Sequence, residues 1–162
     1  MTSEIPNASQ SNYAALVDAI ISASLGGHPV AKEQIGHLGS TPELLQGLGL
    51  PDLPLGIKGK VIDKVVMDHG IPKSMVKRLA SMVSTPQTIY ASAPPHPAGV
   101  VVLTFEITGL GQVMLSVAAA QSVGRSQTMN LITSVYAKED ARVFARWEAE
   151  GLLLWKAKII RP

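Results

Sequence analysis

"VVVLTFEITGLGQVMLSVAA", Val100–Ala119, holds two runs of alternating residues on either side of Gly109 and Gly111. Alternation at period two marks a strand with one buried face, and a glycine-rich break between two such runs reads as a β-hairpin. In the first run Val101, Leu103, Phe105 and Ile107 point one way, and Thr104 and Glu106 the other. In the second, Val113, Leu115 and Val117 oppose Gln112 and Ser116. The expectation is an antiparallel pair with its apolar side on a core and its polar side open.

The same rule extends in both directions. After the turn signal Gly124-Arg125-Ser126, the segment "NLITSVYAK", Asn130–Lys138, places Leu131 and Val135 inward with Met129, and Asn130, Ser134 and Tyr136 outward. Upstream, "TIYAS" from Thr88 reads as a short strand, followed by the Pro-rich loop Pro94–Pro97. Downstream, Glu139–Glu150 is an amphipathic helix carrying Phe144 and Trp147. A last strand after Gly151 places Leu153, Trp155, Ala157 and Ile159 inside, with Lys156 and Lys158 outside.

The first half of the chain reads as helical. Asn12–Leu25 has helical apolar spacing, Ser11 or Asn12 as cap and Gly26-Gly27 as stop, and Pro29–Gly39 fits a short second helix. In "STPELLQGLGLPDLPLGI", from Ser40, a one-turn helix gives way to an irregular linker. Lys58–His69 repeats Val61, Ile62, Val65 and Val66 on one helical face, with Gly70 as stop; Pro72–Val83 is a further helix. The predicted fold is α+β: N-terminal helices packed on one face of a roughly four-stranded antiparallel sheet, with one helix before the last strand. The expected division is a disordered N-terminus at 1–10, a helical extension at 11–40 and the main domain at 41–162.

At 162 residues, 46% hydrophobic and 16% charged, the chain suits one globular domain. A net charge of +2 and a pI near 9.0 are compatible with a polyanionic partner without demanding one. The absence of cysteine excludes a disulfide frame, a thiolate nucleophile and a cysteine-held zinc. Four scattered histidines make a poor metal cluster, so no metal or cofactor is expected. No apolar run approaches the ~18 to 20 residues of a membrane span, and Met1–Gln10 lacks a signal peptide's pattern, so the expectation is a cytoplasmic protein away from membranes.

Any one of Thr104, Ser116, Asn130 and Ser134 could simply be solvated. As a set, hydroxyls, amides, one carboxylate and lysines are groups that hold phosphates and move protons. "LPLGIKGKVIDKVVMDHGIP" from Leu53, the basic helix after it, "VVLTFEI", "NLITSVY" and a terminal "W…GLL" resemble, in that order, the C-terminal domain of phage MuF-type proteins, over Thr41–Trp155. The resemblance implies the nuclease superfamily of barnase, EndoU, colicin-type tRNases and RelE. It also implies metal-independent RNA cleavage and a toxin or phage or plasmid accessory role.

Carried onto this chain, the resemblance implies Lys64 and His69 on the first core helix, and Asn130, Ser134 and Tyr136 on the late strand, with Lys138 just after. On an ideal helix Lys64 and His69 lie about 140° apart, and His69 falls on the apolar arc, where a core histidine is the commoner outcome. The two could meet only if the helix unwinds before Gly70. Imidazole is the natural acid or base at neutral pH. Lys64 and Arg125 are candidates for the phosphate charge, Lys156 adds a cation on the open face, and Ser134 and Tyr136 could orient the phosphate. Glu106 is the alternative base. The expected partner is RNA, with DNA as the alternative, and an antitoxin or immunity protein besides. The competing readings are a non-catalytic module binding nucleic acid or protein on the same fold, and an accessory protein acting through protein contacts.

Overall fold

A computed structural model describes residues 4–93, 97–138 and 142–158, with side chains from Asn12 onward. Along the chain run α1 (Glu4–Leu25), β1 (Ile35–Ser40), α2 (Glu43–Gly47), β2 (Pro54–Lys58), α3 (Gly59–Met67), α4 (Lys73–Val76) and α5 (Leu79–Ser84). They are followed by β3 (Thr88–Ala91), β4 (Gly99–Thr108), β5 (Gly111–Val123), β6 (Gln127–Lys138), α6 (Arg142–Ala149) and β7 (Leu153–Lys156). The strands form one sheet in the order β1-β2-β6-β5-β4-β3-β7. All neighbours are antiparallel except β2 and β6, which run parallel.

The fold is α+β, but the expected four-stranded antiparallel sheet is a seven-stranded mixed one. The two strands missed by the sequence pattern are β1, which lies where a helix was expected, and β2, which lies in the supposed linker. Both carry glycines, and β2 a proline besides, which weaken a strand signal. Gly36 and Gly56 are there for close packing: a Cβ on Gly36 would meet the Tyr13 ring at 2.7 Å, and one on Gly56 would meet the Met129 methyl at 2.7 Å. The single helix expected over Pro72–Val83 is two short ones, α4 and α5. Ile159 and the loop residues Pro94, Pro95 and His96 lie outside the described residues.

Helices α1, α3, α4 and α5 cover one face of the sheet. Val17, Ile20, Ile62, Val65, Val76 and Leu79 pack there against Ile57, Ile89, Val100, Val102, Leu115 and Ile132. At about 25 cal/mol per Å² of apolar surface removed from water, this cluster is the main driving force for folding. The Tyr13 hydroxyl, buried in it, donates to the Val76 carbonyl at 2.7 Å, and burial pushes its phenol pKa up. On the surface of the same layer Asp18 takes Lys77 and Lys73 within 3.0 Å, and the hydrogen bonds from Lys77 and then Lys73 hold its carboxyl below the usual range.

The other face is not open throughout. Helix α6 lies across it: Phe144 and Trp147 pack on Tyr90, Val101, Leu103 and Met114. Tyr90 stacks on Phe144 at 6.1 Å between centroids, and meets Trp147 edge-on at 5.3 Å. The expected inward set of β4 is therefore inverted. Val100 and Val102 belong to the main core, Val101 and Leu103 to the small cluster under α6, and Phe105 and Ile107 are exposed. Leu153, expected inside, is also exposed, whereas Trp155 packs against the main core.

Candidate functional site at the free edge of β6

Strand β6 has two halves with different neighbours. Its first half is held on both sides: β5 pairs along it, and β2 pairs at Leu55↔Asn130, Gly56↔Leu131 and Ile57↔Ile132. Past Ile132, β2 has ended. Among the described residues no strand covers that edge of Thr133–Lys138.

A β-bulge separates the halves. Ser116 pairs with Ser134 while Val117 pairs with Ile132, so Thr133 is an extra residue and side-chain alternation flips across it. Ser134 and Tyr136 face the α6 side, beside their partners Ser116 and Met114. Asn130 is turned to the opposite face and fully buried. Its Nδ2 donates to Thr41 Oγ1 at 2.8 Å and to the Pro51 carbonyl at 2.9 Å, and its Oδ1 accepts the Ala120 amide at 3.0 Å. Ala120 is the one non-glycine at positive φ among the described residues (φ 49°), inside an irregularity of β5. Asn130 thus ties together a strained backbone and the loop before β2, and it does not reach the open face where a substrate-binding role had been expected.

The free edge is taken by His69. Helix α3 ends at Met67; the amides of Asp68 and His69 both donate to the Lys64 carbonyl, at 2.8 and 3.1 Å, and Gly70 at φ 67° reverses the chain. This unwinding carries His69 off the helix's apolar arc to β6, where its Nδ1 lies 2.7 Å from the Val135 carbonyl oxygen. A carbonyl only accepts, so Nδ1 carries the hydrogen of this bond, and among the described residues Nε2 has no hydrogen-bond partner. The ring meets Tyr136 edge-on at 6.2 Å between centroids, and Lys138 Nζ lies 5.5 Å from the centre of the Tyr136 ring. Burial pushes the Tyr136 phenol up, so it is an O–H donor at neutral pH.

His69, Ser134, Tyr136 and Lys138 are therefore brought together, and the other sequence candidates are not. Lys64 is exposed on α3, and only its backbone carbonyl touches His69. Arg125 lies in the β5–β6 turn, nine residues along the strand from Ser134, or roughly 30 Å at the rise of an extended chain. Lys156 sits on the outermost strand beside Glu148 at 3.5 Å. Glu106 is bound to Arg78 at 3.0 Å, and that hydrogen bond holds its carboxyl below the usual range. Its partner on the N-terminal side of α5 puts it with the helices and away from Ser134.

On the far side of Tyr136 a cleft of about 510 Å³ opens between α6 and the sheet. Ser116, Ser134 and Tyr136 form its floor, and Arg146, Trp147 and Glu150 its helical wall. Sequence reasoning placed Trp147 in the core and passed over Arg146 and Glu150. The signal available was the four-residue apolar run Val100–Leu103, which reads as a strand buried on both faces and so demands a second covering layer. Among the described residues no three His, Asp or Glu side chains cluster to hold a metal ion, and no helix is long and apolar enough to cross a membrane.

The family model of the phage MuF C-terminal domain matches residues 60–159, from the start of α3 to beyond β7. No curated protein and no solved structure matches the chain.

Proposed function

The chain belongs to the phage MuF C-terminal domain family, and from that premise we propose that it is a metal-independent endoribonuclease of the barnase, EndoU, colicin tRNase and RelE superfamily. One observation carries the reading: the Nδ1 hydrogen bond to Val135 fixes His69 at a free strand edge with Nε2 available, beside the Tyr136 phenol and the Lys138 ammonium.

In this mechanism a phosphodiester of RNA rests against both rings. Nε2 of His69 takes the ribose 2′-OH proton, and the 2′-oxygen attacks the adjacent phosphorus. The bond to the 5′-oxygen breaks, and the Tyr136 phenol protonates that oxygen as it leaves. Lys138 offsets charge on the phosphorane, and the Ser134 hydroxyl orients a non-bridging oxygen. The products are a 2′,3′-cyclic phosphate and a free 5′-hydroxyl. DNA, lacking the 2′-OH, is not a substrate for this step. A toxin or phage or plasmid accessory role in the cytoplasm, opposed by an immunity protein or antitoxin, fits such an activity.

The test is incubation of the protein with total RNA in EDTA, with the ends of any fragments analysed. Fragments ending in cyclic phosphate are expected, and His69→Ala should cut roughly 10²- to 10⁴-fold more slowly while remaining folded. Intact RNA, or undiminished cleavage by a folded His69→Ala protein, would refute the proposal.

A further inference from the structure

The turn that delivers His69 is met by a second element, the tip of the β4–β5 hairpin. This hairpin outruns its neighbour: β3 pairs with β4 only as far as Leu103, whereas β4 and β5 stay paired to Thr108↔Gly111. At the tip, Thr108 Oγ1 accepts the Leu110 amide at 3.1 Å and donates to the Gly111 carbonyl at 3.3 Å, which fixes the backbone that carries Leu110. Leu110 Cδ1 lies 3.5 Å from the place a Cβ on Gly70 would occupy. Among the described residues nothing else outside the turn comes within 4 Å of that place.

We propose that Leu110 is a positioning residue for His69, covering the Gly70 turn from the hairpin tip and keeping the imidazole seated on Val135. Its effect on rate rests on the ribonuclease reading; its effect on the ring rests on geometry alone. Gly70 is the free joint of the turn. Backbone hydrogen bonds tie Asp68 and His69 to Lys64 and Ile71 to Val65, and Ile71 is buried. Gly70, between them, has no side chain to pack and stands at φ 67°, where glycine is most permissive. The imidazole is held by its bond to Val135 and its edge contact with Tyr136, so a small rotation at Gly70 carries the ring away from both.

Magnitudes separate positioning from stability. Leu110 is 58% exposed, and each of its carbon contacts contributes only about 0.1 to 0.2 kcal/mol of dispersion, so its removal leaves the core intact. Misplacing a reacting group by 1 Å costs up to about 10²-fold in rate.

The test begins with Leu110→Ala. Its melting temperature should stay within about 2 °C of the parent's. On single-stranded RNA, kcat should fall roughly tenfold at unchanged KM. Leu110→Met keeps a long apolar side chain and should restore the rate. Thr108→Val keeps the shape of the tip residue without its hydrogen bonds and should lower kcat as well. Combined with Leu110→Ala it should add nothing, because both act through one contact. The readout independent of cleavage is nitrogen-15 NMR of the imidazole, with His69 assigned by its loss in His69→Ala. The parent should carry its hydrogen on Nδ1, and Leu110→Ala should show a mixture of tautomers as the bond to Val135 loosens. A Leu110→Ala protein that cuts RNA at the parent rate, or whose His69 tautomer is unchanged, overturns the positioning role and spares the nuclease reading. So does a fall in rate that tracks lost stability or that Leu110→Met fails to repair. A tautomer shift in a protein whose parent cuts no RNA upholds the positioning of His69 and overturns the nuclease reading.

Discussion

The two halves of β6 put side chains of similar chemistry to opposite uses. Before the bulge at Thr133, Asn130 is enclosed by β2 and β5, and every polar atom of its side chain is matched within the protein. After it, Ser134 and Tyr136 line a cleft, and the uncovered strand edge is used by His69. An amide in a closed sheet is stability; a phenol and a hydroxyl at a sheet edge are available for chemistry. The difference comes from the bulge at Thr133 and from where β2 stops, and not from the residue types.

The hardest way to break that comparison is Asn130→Ala. It empties a fully buried side-chain site, takes the partner from the part-buried Pro51 carbonyl and Ala120 amide, and removes support from a residue at positive φ. The expected loss is about 2 to 4 kcal/mol, read as a lower midpoint in urea at unchanged m value. Any fall in cleavage should disappear under conditions where the variant is folded. A stable Asn130→Ala protein with impaired cleavage would return Asn130 to the site.

Gly70→Ala tests the other half. A side chain at φ 67° costs about 1 to 2 kcal/mol, and here the alternative conformation would rewind the turn that delivers His69 to Val135. The Cβ itself has room, with Leu110 the nearest group at 3.5 Å, so strain and not collision is the cause. The melting temperature should fall by a few degrees. Cleavage should fall in the folded protein as well, which sets this variant apart from Asn130→Ala. Full cleavage would mean that His69 does not need this turn.

These contrasts bear on what was legible in the sequence. The hairpin of β4 and β5, the strand β6, the helices α1 and α3 and the break at Gly70 are local: alternation, helical spacing and a stop residue each act within a few positions. What was lost is non-local. Nothing near Asn130 announces that one extra residue at Thr133 reverses the face of everything before it, because a bulge is defined by the partner strand. The strands β1 and β2 are short and interrupted by glycines whose purpose, room for Tyr13 and Met129, lies elsewhere in the chain. Helix α6 could be placed in sequence but not on a face. With it went the cleft, Arg146 and Glu150. His69 was legible as a chemical type, whereas its anchor, a backbone carbonyl 66 residues away, was not.

The smallest effect is expected at Glu106, the carboxylate that sequence alternation set on the open face as an alternative base. Bound to Arg78, it is kept charged, with its pKa below the ordinary value of 4.5 by the hydrogen bond and then the charge of the guanidinium. A carboxylate whose folded pKa is depressed contributes stability above its unfolded pKa, and that contribution is lost as pH falls through the folded value. The pair is partly exposed, so the contribution is small, under about 1 kcal/mol at neutral pH. Glu106→Gln should therefore be slightly less stable than the parent at pH 7, and the two should converge on acidification below 4.5. Cleavage near neutrality should be unchanged, because a base tied to Arg78 on the helix side of the sheet has no access to a phosphate at Tyr136. A large loss of cleavage in Glu106→Gln, at retained stability, would move the proton acceptor from His69 to Glu106 and undo the contrast between the closed and the free half of β6.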